Sequence, residues 1–254
     1  MTIIQRKSSV TILVKALPQP SKKYGETVCC AGVTADRQWK RLFPVRFRHL
    51  SGESSFSRWD RVDFEYGLPV HDRRAESCHV HEESITIVGR LPESERARLL
   101  DPLILGSAKV AESRGQSLAL IRPKNTRFSA KPKSAADIAE SKDAYKLAAS
   151  QTSIFDKELA DLNPSPYDFR FGFEDDSGKH DYANGDWEAH AMFWAETKRS
   201  NAARALKWMD TVFNDEYPKK GIVFAIGNQA KRPQTWQLLG VLRLDALLQN
   251  EFAF

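Results

Sequence analysis

The sequence predicts an α+β protein whose N-terminal part is a small β-barrel or curved sheet with helices and whose C-terminal part is a hairpin–helix–hairpin unit. Three observations support this class. Short apolar segments separated by Gly and Pro fill the first 90 residues, a Lys-, Ser- and Ala-rich stretch follows residue 122, and a long amphipathic pattern lies between later apolar segments. We therefore expect a β-rich domain over residues 1–123, a linker with a weak helix over 124–150, and an α+β domain over 151–254.

The N-terminal domain is predicted from the spacing of its strands. The segments SVTILVKAL, ETVCCAGVT, WKRLFPVRF, RVDFEY and ESITIVGRL are separated by turn residues, at Pro18, Pro20, Gly25, Gly52, Gly67 and Pro69. Short strands at regular spacing are typical of small barrels and strongly curved sheets. LPESERARLLDPLILGSAKVAESRG then predicts one or two helices, and SLALIRP predicts one more strand that returns to this domain.

The second half of the chain begins with a polar stretch. Residues 123–150 have few large apolar groups, which predicts an exposed linker and a weakly amphipathic helix from about 134 to 148. YDFRFGFEDD alternates as a strand, and DDSGKHDYANGD has the chemistry of a hairpin turn. One long helix is predicted from the N-cap Asp186 to Pro218 and Gly221, followed by the strands GIVFAIG and TWQLLGVLRL.

Composition narrows the class of protein. A hydrophobic content of 41% over 254 residues is enough for a packed core and excludes a wholly disordered chain. Three Cys do not form a disulfide framework, so we expect a reduced, cytoplasmic protein. No apolar run is long enough to span a bilayer, and the N-terminus is typical of a strand rather than of a signal peptide. The net charge of +5 is compatible with a nucleic-acid partner.

The segment RQWKRLFPVRFRHL, residues 37–50, is rich in cations and contains no acidic residue. On a strand, Trp39, Arg41, Phe43, Val45 and Phe47 would point one way, and Lys40, Leu42, Pro44, Arg46 and Arg48 the other. This predicts a basic ridge that contacts phosphates, with a half-buried strand of basic outer face as the alternative. The candidate nucleic-acid-binding residues of the basic ridge are Lys40, Arg41, Arg46 and Arg48.

A second basic candidate lies in the loop NQAKRP, residues 228–233, between the last two strands. Gly227 and Asn228 can both adopt positive φ, so backbone N–H groups could converge with Lys231 and Arg232 on one phosphate. A plain hairpin turn needs the same residues and is the alternative. We expect Lys231 and Arg232 to bind nucleic acid if this loop is a recognition loop.

Metal and catalytic sites are weakly indicated. In HDRRAESCHVHEES, residues 71–84, His79 and His81 would share one face of a strand and are candidate metal ligands, with a solvated polar edge as the alternative. The acidic run Glu174 to Asp176, and His180 with His190, offer further groups for a metal-dependent site. P-loop, dinucleotide, zinc-deaminase and nucleophile-elbow motifs are missing. The sequence therefore predicts no cofactor and no metal.

Several segments together resemble a known group of proteins. YGETVCCAGVT, WKRLFPVRFRHL, DWE before a helix, GIVFAIGN and LLGVLRL are similar to those of an uncharacterised family of prokaryotic conserved hypothetical proteins. The resemblance implies no activity and no catalytic residues. It implies the kind of accessory protein that is carried beside DNA-processing or defence genes.

Three functional hypotheses follow. The first is a nucleic-acid-binding accessory protein without its own catalysis, part of a larger assembly that processes DNA or RNA or serves defence. The alternative is a metal-dependent hydrolase or nuclease that uses the His, Asp and Glu clusters. The third is a protein-interaction adaptor whose Trp-rich helix contacts a partner.

Overall fold

The computed structural model describes residues 5–17, 19–21, 25–46, 50–70, 72–149, 165–230 and 232–245. It confirms the α+β class. The strands are β1 (Arg6–Lys15), β2 (Gln19–Ser21), β3 (Gly25–Val33), β4 (Trp39–Val45), β5 (Asp60–Gly67), β6 (Ser77–Arg90), β7 (Ile104–Leu105), β8 (Leu118–Ile121), β9 (Lys124–Pro132), β10 (Tyr167–Asp175), β11 (Gly178–Ala183), β12 (Ile222–Gln229) and β13 (Arg232–Arg243). The helices are α1 (Glu93–Leu100), α2 (Ala108–Ser113), α3 (Ala135–Ala149), α4 (Trp187–Arg199), α5 (Ala202–Thr211) and α6 (Tyr217–Lys220).

The N-terminal strands form a curved sheet, as predicted, in which β1 pairs with both β5 and β3. Five strands therefore make a ring in the order β1–β5–β6–β4–β3–β1, and β2 extends one edge of β3. Within this ring the contact between β4 and β6 is parallel, and the other four contacts are antiparallel. Alternate residues of each strand fill the interior, among them Ile12, Leu42, Val62, Phe64 and Val80.

The closure between β1 and β3 depends on a glycine. A Cβ atom on Gly32 would lie 2.3 Å from the backbone oxygen of Thr11, which is far inside van der Waals contact. Strands can approach this closely only where the side chain is absent. Gly32 is thus the position at which the ring can close.

The segment predicted to return to the N-terminal domain does not do so. β8 pairs with β12 on one side and with β7 on the other, in a four-stranded sheet of order β13–β12–β8–β7. The reason is that β8 is apolar on both faces. Leu118 and Leu120 pack toward the ring, whereas Ala119 and Ile121 pack toward the C-terminal helices.

The predicted linker is also wrong over its first third. Residues 124–132 form β9, which pairs with β10 in the three-stranded sheet β11–β10–β9. One buried side chain accounts for this, because the ring of Phe128 lies 5.8, 5.3 and 5.1 Å from those of Phe169, Phe171 and Phe213. The weak helix is present as α3. The predicted domain start at residue 151 lies outside the described residues.

The long C-terminal helix is interrupted. α4 ends at Arg199, and α5 begins anew where the side chain of Asn201 accepts a hydrogen bond from the Arg204 amide at 3.0 Å. Ser and Asn at 200–201 favour caps over helix interiors, which explains the break. The predicted N-cap is confirmed, since Asp186 Oδ1 accepts from the Glu188 amide at 3.0 Å. Gly221, with φ of 120°, ends the last helix as predicted.

An apolar layer joins the ring to the four-stranded sheet. Its ring side includes Leu13, Ala31, Val33 and Trp39, and its sheet side includes Leu118, Leu120, Val223, Ala225 and Leu239. The outer face of the ring is therefore covered along part of β1, β3 and β4. Within the described ranges, no helix has the length and apolar character needed to cross a membrane.

Candidate nucleic-acid interface

The strand that was predicted to carry the basic ridge is covered on both faces over its first half. Trp39 lies in the layer against the four-stranded sheet, and Leu42 lies in the ring interior. Arg41 is only 4% exposed. The predicted cationic outer face is therefore wrong, because the face that includes Leu42 turns toward the ring interior, while the second sheet packs on the opposite, largely apolar face that includes Trp39.

The guanidinium of Arg41 forms its hydrogen bonds in the interior of the protein. Its Nη2 donates to the backbone oxygen of Ser117 at 3.0 Å and to the hydroxyl at 3.2 Å, and Nη1 lies 3.4 Å from the sulfur of Cys29. Glu76 completes the cluster by accepting from the Ser117 amide at 2.8 Å and hydroxyl at 3.0 Å. Gly227 leaves room for the guanidinium, because a Cβ there would lie 3.3 Å from Nη2. Arg41 therefore does not lie on a surface that a phosphate could contact.

The other members of the basic ridge are partly engaged. Arg46 pairs with Glu82, whose Oε2 accepts from Nε at 3.0 Å and from Nη2 at 2.8 Å. The Nζ atom of Lys40 lies 5.6 Å from the centre of the Tyr66 ring. Arg48, like Lys231 of the loop candidate, lies outside the described residues. Acidic and aromatic groups of β5 and β6 thus meet these cations, and a continuous ridge is not formed by the described residues.

A different surface lies at the open part of the ring. Leu42 and Cys78 stand opposite one another in β4 and β6 with both side chains inward, so the next pair, Phe43 and His79, faces outward. Phe43 is 42% exposed, and His79 is also exposed. Opposite His79, β5 contributes Gly67, which has no side chain. The aromatic pair is therefore partly exposed at the surface of the ring.

The loop between β5 and β6 borders this aromatic pair. Two of its apolar side chains are strongly exposed, Leu68 by 61% and Val70 by 86%, and the exposed Arg73 follows. We refer to Phe43, His79, Leu68, Val70 and Arg73 as the ring face. Phe43 and His79 lie on paired strands, whereas Leu68, Val70 and Arg73 lie in the adjoining loop. Aromatic groups combined with cationic ones are typical of surfaces that bind single-stranded nucleic acid.

The β5–β6 loop also contacts the end of the β12–β13 hairpin, whose connecting loop was predicted as a separate candidate. Arg74 Nη1 donates to the backbone oxygen of Asn228 at 2.8 Å, and the exposed Arg232 stands opposite Gln229. We refer to the β5–β6 loop at Arg73 and Arg74, together with the end of the β12–β13 hairpin at Asn228 and Arg232, as the rim of the ring face. Sequence patterns did not indicate Arg73 and Arg74 as binding residues, and the available signal was the pair of arginines beside exposed apolar residues in LPVHDRRAE.

The candidate metal and catalytic groups are not brought together. His79 lies on the ring face, and His81 Nδ1 lies 4.0 Å from Glu83. His180 Nε2 lies 2.9 Å from Asp175 in the β10–β11 turn, whereas His190 is buried and bonds to the oxygen of Asn184 at 3.2 Å. Across the part of the chain that the structure describes, no three His, Cys, Asp or Glu residues are grouped as metal ligands.

Comparison with family models gives two matches. Residues 6–103 match "Domain of unknown function (DUF8758)", and residues 104–252 match "Domain of unknown function (DUF8757)". These matches confirm the resemblance to an uncharacterised family. The border between them, at 103/104, assigns β7 and β8 to the C-terminal part, in agreement with their strand pairing. No curated protein matches the chain.

One solved structure with some similarity is described as "Structure and Conformational Change of a Replication Protein A Heterotrimer Bound to ssDNA". The sequence identity is 10% and the TM-score 0.21, and the match covers 95% of this chain and 65% of that chain. This chain therefore spans less than two thirds of the length of that one. Such a TM-score establishes no shared fold, so the binding of ssDNA by that protein is not transferred.

Proposed function

The chain belongs to the family described as "Domain of unknown function (DUF8757)", and we propose that it binds single-stranded nucleic acid on the ring face. The observation that carries the proposal is the outward pair of Phe43 and His79 on adjacent strands of the ring. Stacking of bases on aromatic side chains contributes about 1–3 kcal/mol per base and tolerates any sequence. A duplex keeps its bases stacked on each other, which favours a single strand as the ligand.

The topology of the ring supports the same proposal. Numbered along the chain, the five ring strands β1, β3, β4, β5 and β6 follow the order 1–2–3–5–4–1, with the parallel contact between the third and the fifth. This is the strand order of the OB-fold, which binds oligonucleotides on the face of its second and third strands. Topology alone does not specify a function. Here, the exposed Phe43 lies on the third strand, β4, beyond the part of its outer face that the four-stranded sheet covers at Trp39 and Arg41.

Phosphate contacts are assigned to the rim. Arg73 is exposed in the β5–β6 loop, and Arg232 is exposed at the start of β13. Lys40 lies on the opposite face of β4 from Phe43, and Arg46 follows the end of β4. Because Arg46 is held by Glu82 and Arg41 is buried, the proposal assigns more of the affinity to stacking than the basic ridge would imply. Long-range electrostatic attraction then contributes mainly to the rate of association.

We extend the proposal to an accessory protein, without catalysis of its own, in an assembly that handles DNA or RNA, including a defence assembly. The support is that the ring face offers groups for binding rather than an acid–base or nucleophilic set. Trp208, 41% exposed on α5, offers an apolar contact to a protein partner. A cytoplasmic location is proposed because Cys29, Cys30 and Cys78 are free thiols.

The test is binding of a labelled oligonucleotide of about 16 nucleotides, as DNA and as RNA, by fluorescence anisotropy. Phe43→Ala and His79→Ala are each expected to weaken binding by about 5- to 150-fold, the equivalent of one lost stacking contact. Trp208→Ala is the matched control, since that ring is exposed to nearly the same extent but lies on α5. Failure of the wild type to bind, or an equal loss in the control, contradicts the proposal.

A further inference from the structure

The rim of the ring face contains two adjacent arginines in different surroundings. Arg73 is exposed, whereas Arg74 is half-buried with a side-chain exposure of 19%. All three guanidinium nitrogens of Arg74 donate to protein oxygens. Nε and Nη2 bind Asp72, at 2.9 Å to Oδ1 and 2.6 Å to Oδ2, and Nη1 binds the backbone oxygen of Asn228 at 2.8 Å.

Further hydrogen bonds fix the carboxylate of Asp72 beside the guanidinium of Arg74. Its Oδ2 also accepts from the Ser77 hydroxyl at 2.7 Å, and its Oδ1 accepts from the Arg74 amide at 3.2 Å. Partial burial opposes ionisation of this carboxyl, but the hydrogen bonds from Arg74 and Ser77 outweigh it and lower the pKa of Asp72 to about 2. The carboxylate is therefore charged throughout the neutral range and keeps the guanidinium oriented.

Asn228, the second hydrogen-bond partner of Arg74, is also held in place. The amide of Asn228 donates to the backbone oxygen of Ser117 at 3.0 Å, and Ser117 is the residue that Arg41 and Glu76 hold from the ring side. The end of β12 is thus attached at Asn228 both to Ser117, which precedes β8, and to the β5–β6 loop. Arg74 and Asn228, which lie 154 residues apart in sequence, share one hydrogen-bonded support.

We propose that Arg74 is a positioning residue that sets the spacing between the β5–β6 loop and the end of the β12–β13 hairpin, and that Arg73, not Arg74, contacts the phosphates of the ligand. The inference rests on the proposed function of the ring face. Its basis is the occupation of every guanidinium nitrogen of Arg74 by Asp72 and Asn228. A planar guanidinium that is hydrogen-bonded on both sides holds the two segments at a fixed distance, and a lysine ammonium cannot reproduce that geometry.

The salt dependence of oligonucleotide binding separates the two roles. Arg73→Gln is expected to lower affinity and to reduce the log–log salt slope by about 0.7, the value for one phosphate contact on a single strand. Arg74→Gln is expected to lower affinity by about tenfold, the equivalent of a lost hydrogen bond to a charged group, while the salt slope keeps its wild-type value. Arg73→Lys should bind the oligonucleotide about as tightly as wild type, whereas Arg74→Lys should show the same loss of affinity as Arg74→Gln.

Asp72→Asn gives the sharpest contrast, because it removes a negative charge from the rim. If electrostatic attraction alone mattered, this variant would bind more tightly than wild type. The positioning role predicts weaker binding instead. Hydrogen exchange provides a readout that needs no ligand, in which the amides of residues 228–230 exchange faster in Arg74→Gln and Asp72→Asn than in wild type or Arg73→Gln.

The outcomes are distinguishable. If wild type binds but Arg74→Gln changes the salt slope as Arg73→Gln does, or if Asp72→Asn binds more tightly, the positioning role is overturned and the proposed function stands. If wild type binds no oligonucleotide, the proposed function fails and this inference fails with it. Melting temperatures of all variants close to that of wild type establish that the comparison concerns folded protein.

Discussion

Asp186→Ala is expected to lower the free energy of unfolding by about 3–5 kcal/mol, the range for breaking a buried ion pair from one side. The Asp186 side chain is 1% exposed. Its Oδ1 accepts from Arg58 Nη2 at 2.5 Å and from the Glu188 amide at 3.0 Å, and its Oδ2 accepts from the Val241 amide at 2.8 Å. One carboxylate thus joins the ring, the start of α4 and β13.

The large loss of stability arises because the substitution leaves the buried guanidinium of Arg58 without its carboxylate partner. Arg58, with a side-chain exposure of 13%, also donates from Nη1 to the oxygen of Val241 at 2.9 Å. Burial acts to lower the pKa of Arg58, but the charge and hydrogen bond of Asp186 raise it above its ordinary value. Without Asp186, a guanidinium that remains charged is buried with no carboxylate to compensate it. The helix α4 also loses its N-cap, which contributes about 1 kcal/mol.

Denaturant unfolding followed by circular dichroism measures this loss. The matched control is Asp181→Ala, which removes an ion pair with Arg170 at 3.1 Å whose aspartate is 57% exposed. We expect that change to be below about 1 kcal/mol, as for other exposed pairs. If Asp186→Ala is too unstable to purify, Asp186→Asn retains an acceptor for the cap and should show an intermediate loss. Equal effects at positions 186 and 181 would count against the ion pair as the link between the sheets.

Local features of this region could be read from the sequence, but their partners could not. Asp186 was predictable as an N-cap because capping involves residues two positions apart. Arg58, its ion-pair partner, lies 128 residues away, and no periodicity connects the two. The same holds for Arg74 and Asn228. Short-range patterns thus predicted the hairpins and the helix start, while long-range contacts decided which side chains are buried.

The basic ridge shows how the same limit affects a site. Alternation along 39–47 predicts which residues share a face, but not whether that face meets solvent. A second sheet covers the face that carries Trp39 and Arg41, so Arg41 is buried. Phe43, which the pattern placed on the apolar side, is the exposed residue. Both the strand and its position were predictable, whereas the functional role of each side chain depended on packing by residues 118–121 and 222–243.

A decrease of about 3 kcal/mol in the free energy of unfolding is expected between pH 6.5 and pH 4, because of His190. The imidazole is buried beside Phe169, at 4.9 Å between ring centres, and lies 3.2 Å from the oxygen of Asn184. Burial lowers its pKa from 6.5 to about 4, against the opposing effects of the Asn184 hydrogen bond and the charge of Asp186. Each unit between the two values corresponds to about 1.4 kcal/mol.

The sign follows from proton binding. Well above pH 6.5 neither state binds a proton at His190, and the full stability is present. As the pH falls toward 4, the unfolded chain takes up a proton that the folded protein does not, so the unfolded state is favoured. The charges nearest this imidazole besides Asp186 are Lys133, which lowers its pKa, and Asp168, which raises it.

Denaturant unfolding at a series of pH values tests this expectation, with His190→Gln expected to remove most of the slope between pH 6.5 and 4.5. The contributions of Asp72 and Asp175, whose pKa values are lowered in the fold, are lost only as the pH falls below about 4, and that of Glu65, whose pKa is also lowered, only as it falls below about 4.5. The slope between pH 6.5 and about 5 is therefore the part that tests His190. His180→Gln is the matched control, since it removes an imidazole of β11 that lies beside Asp175 and is less buried than that of His190. A wild-type slope in His190→Gln would show that another group is responsible. If only His190→Gln loses the slope, the acid sensitivity of the fold is assigned to the buried imidazole of His190 on α4.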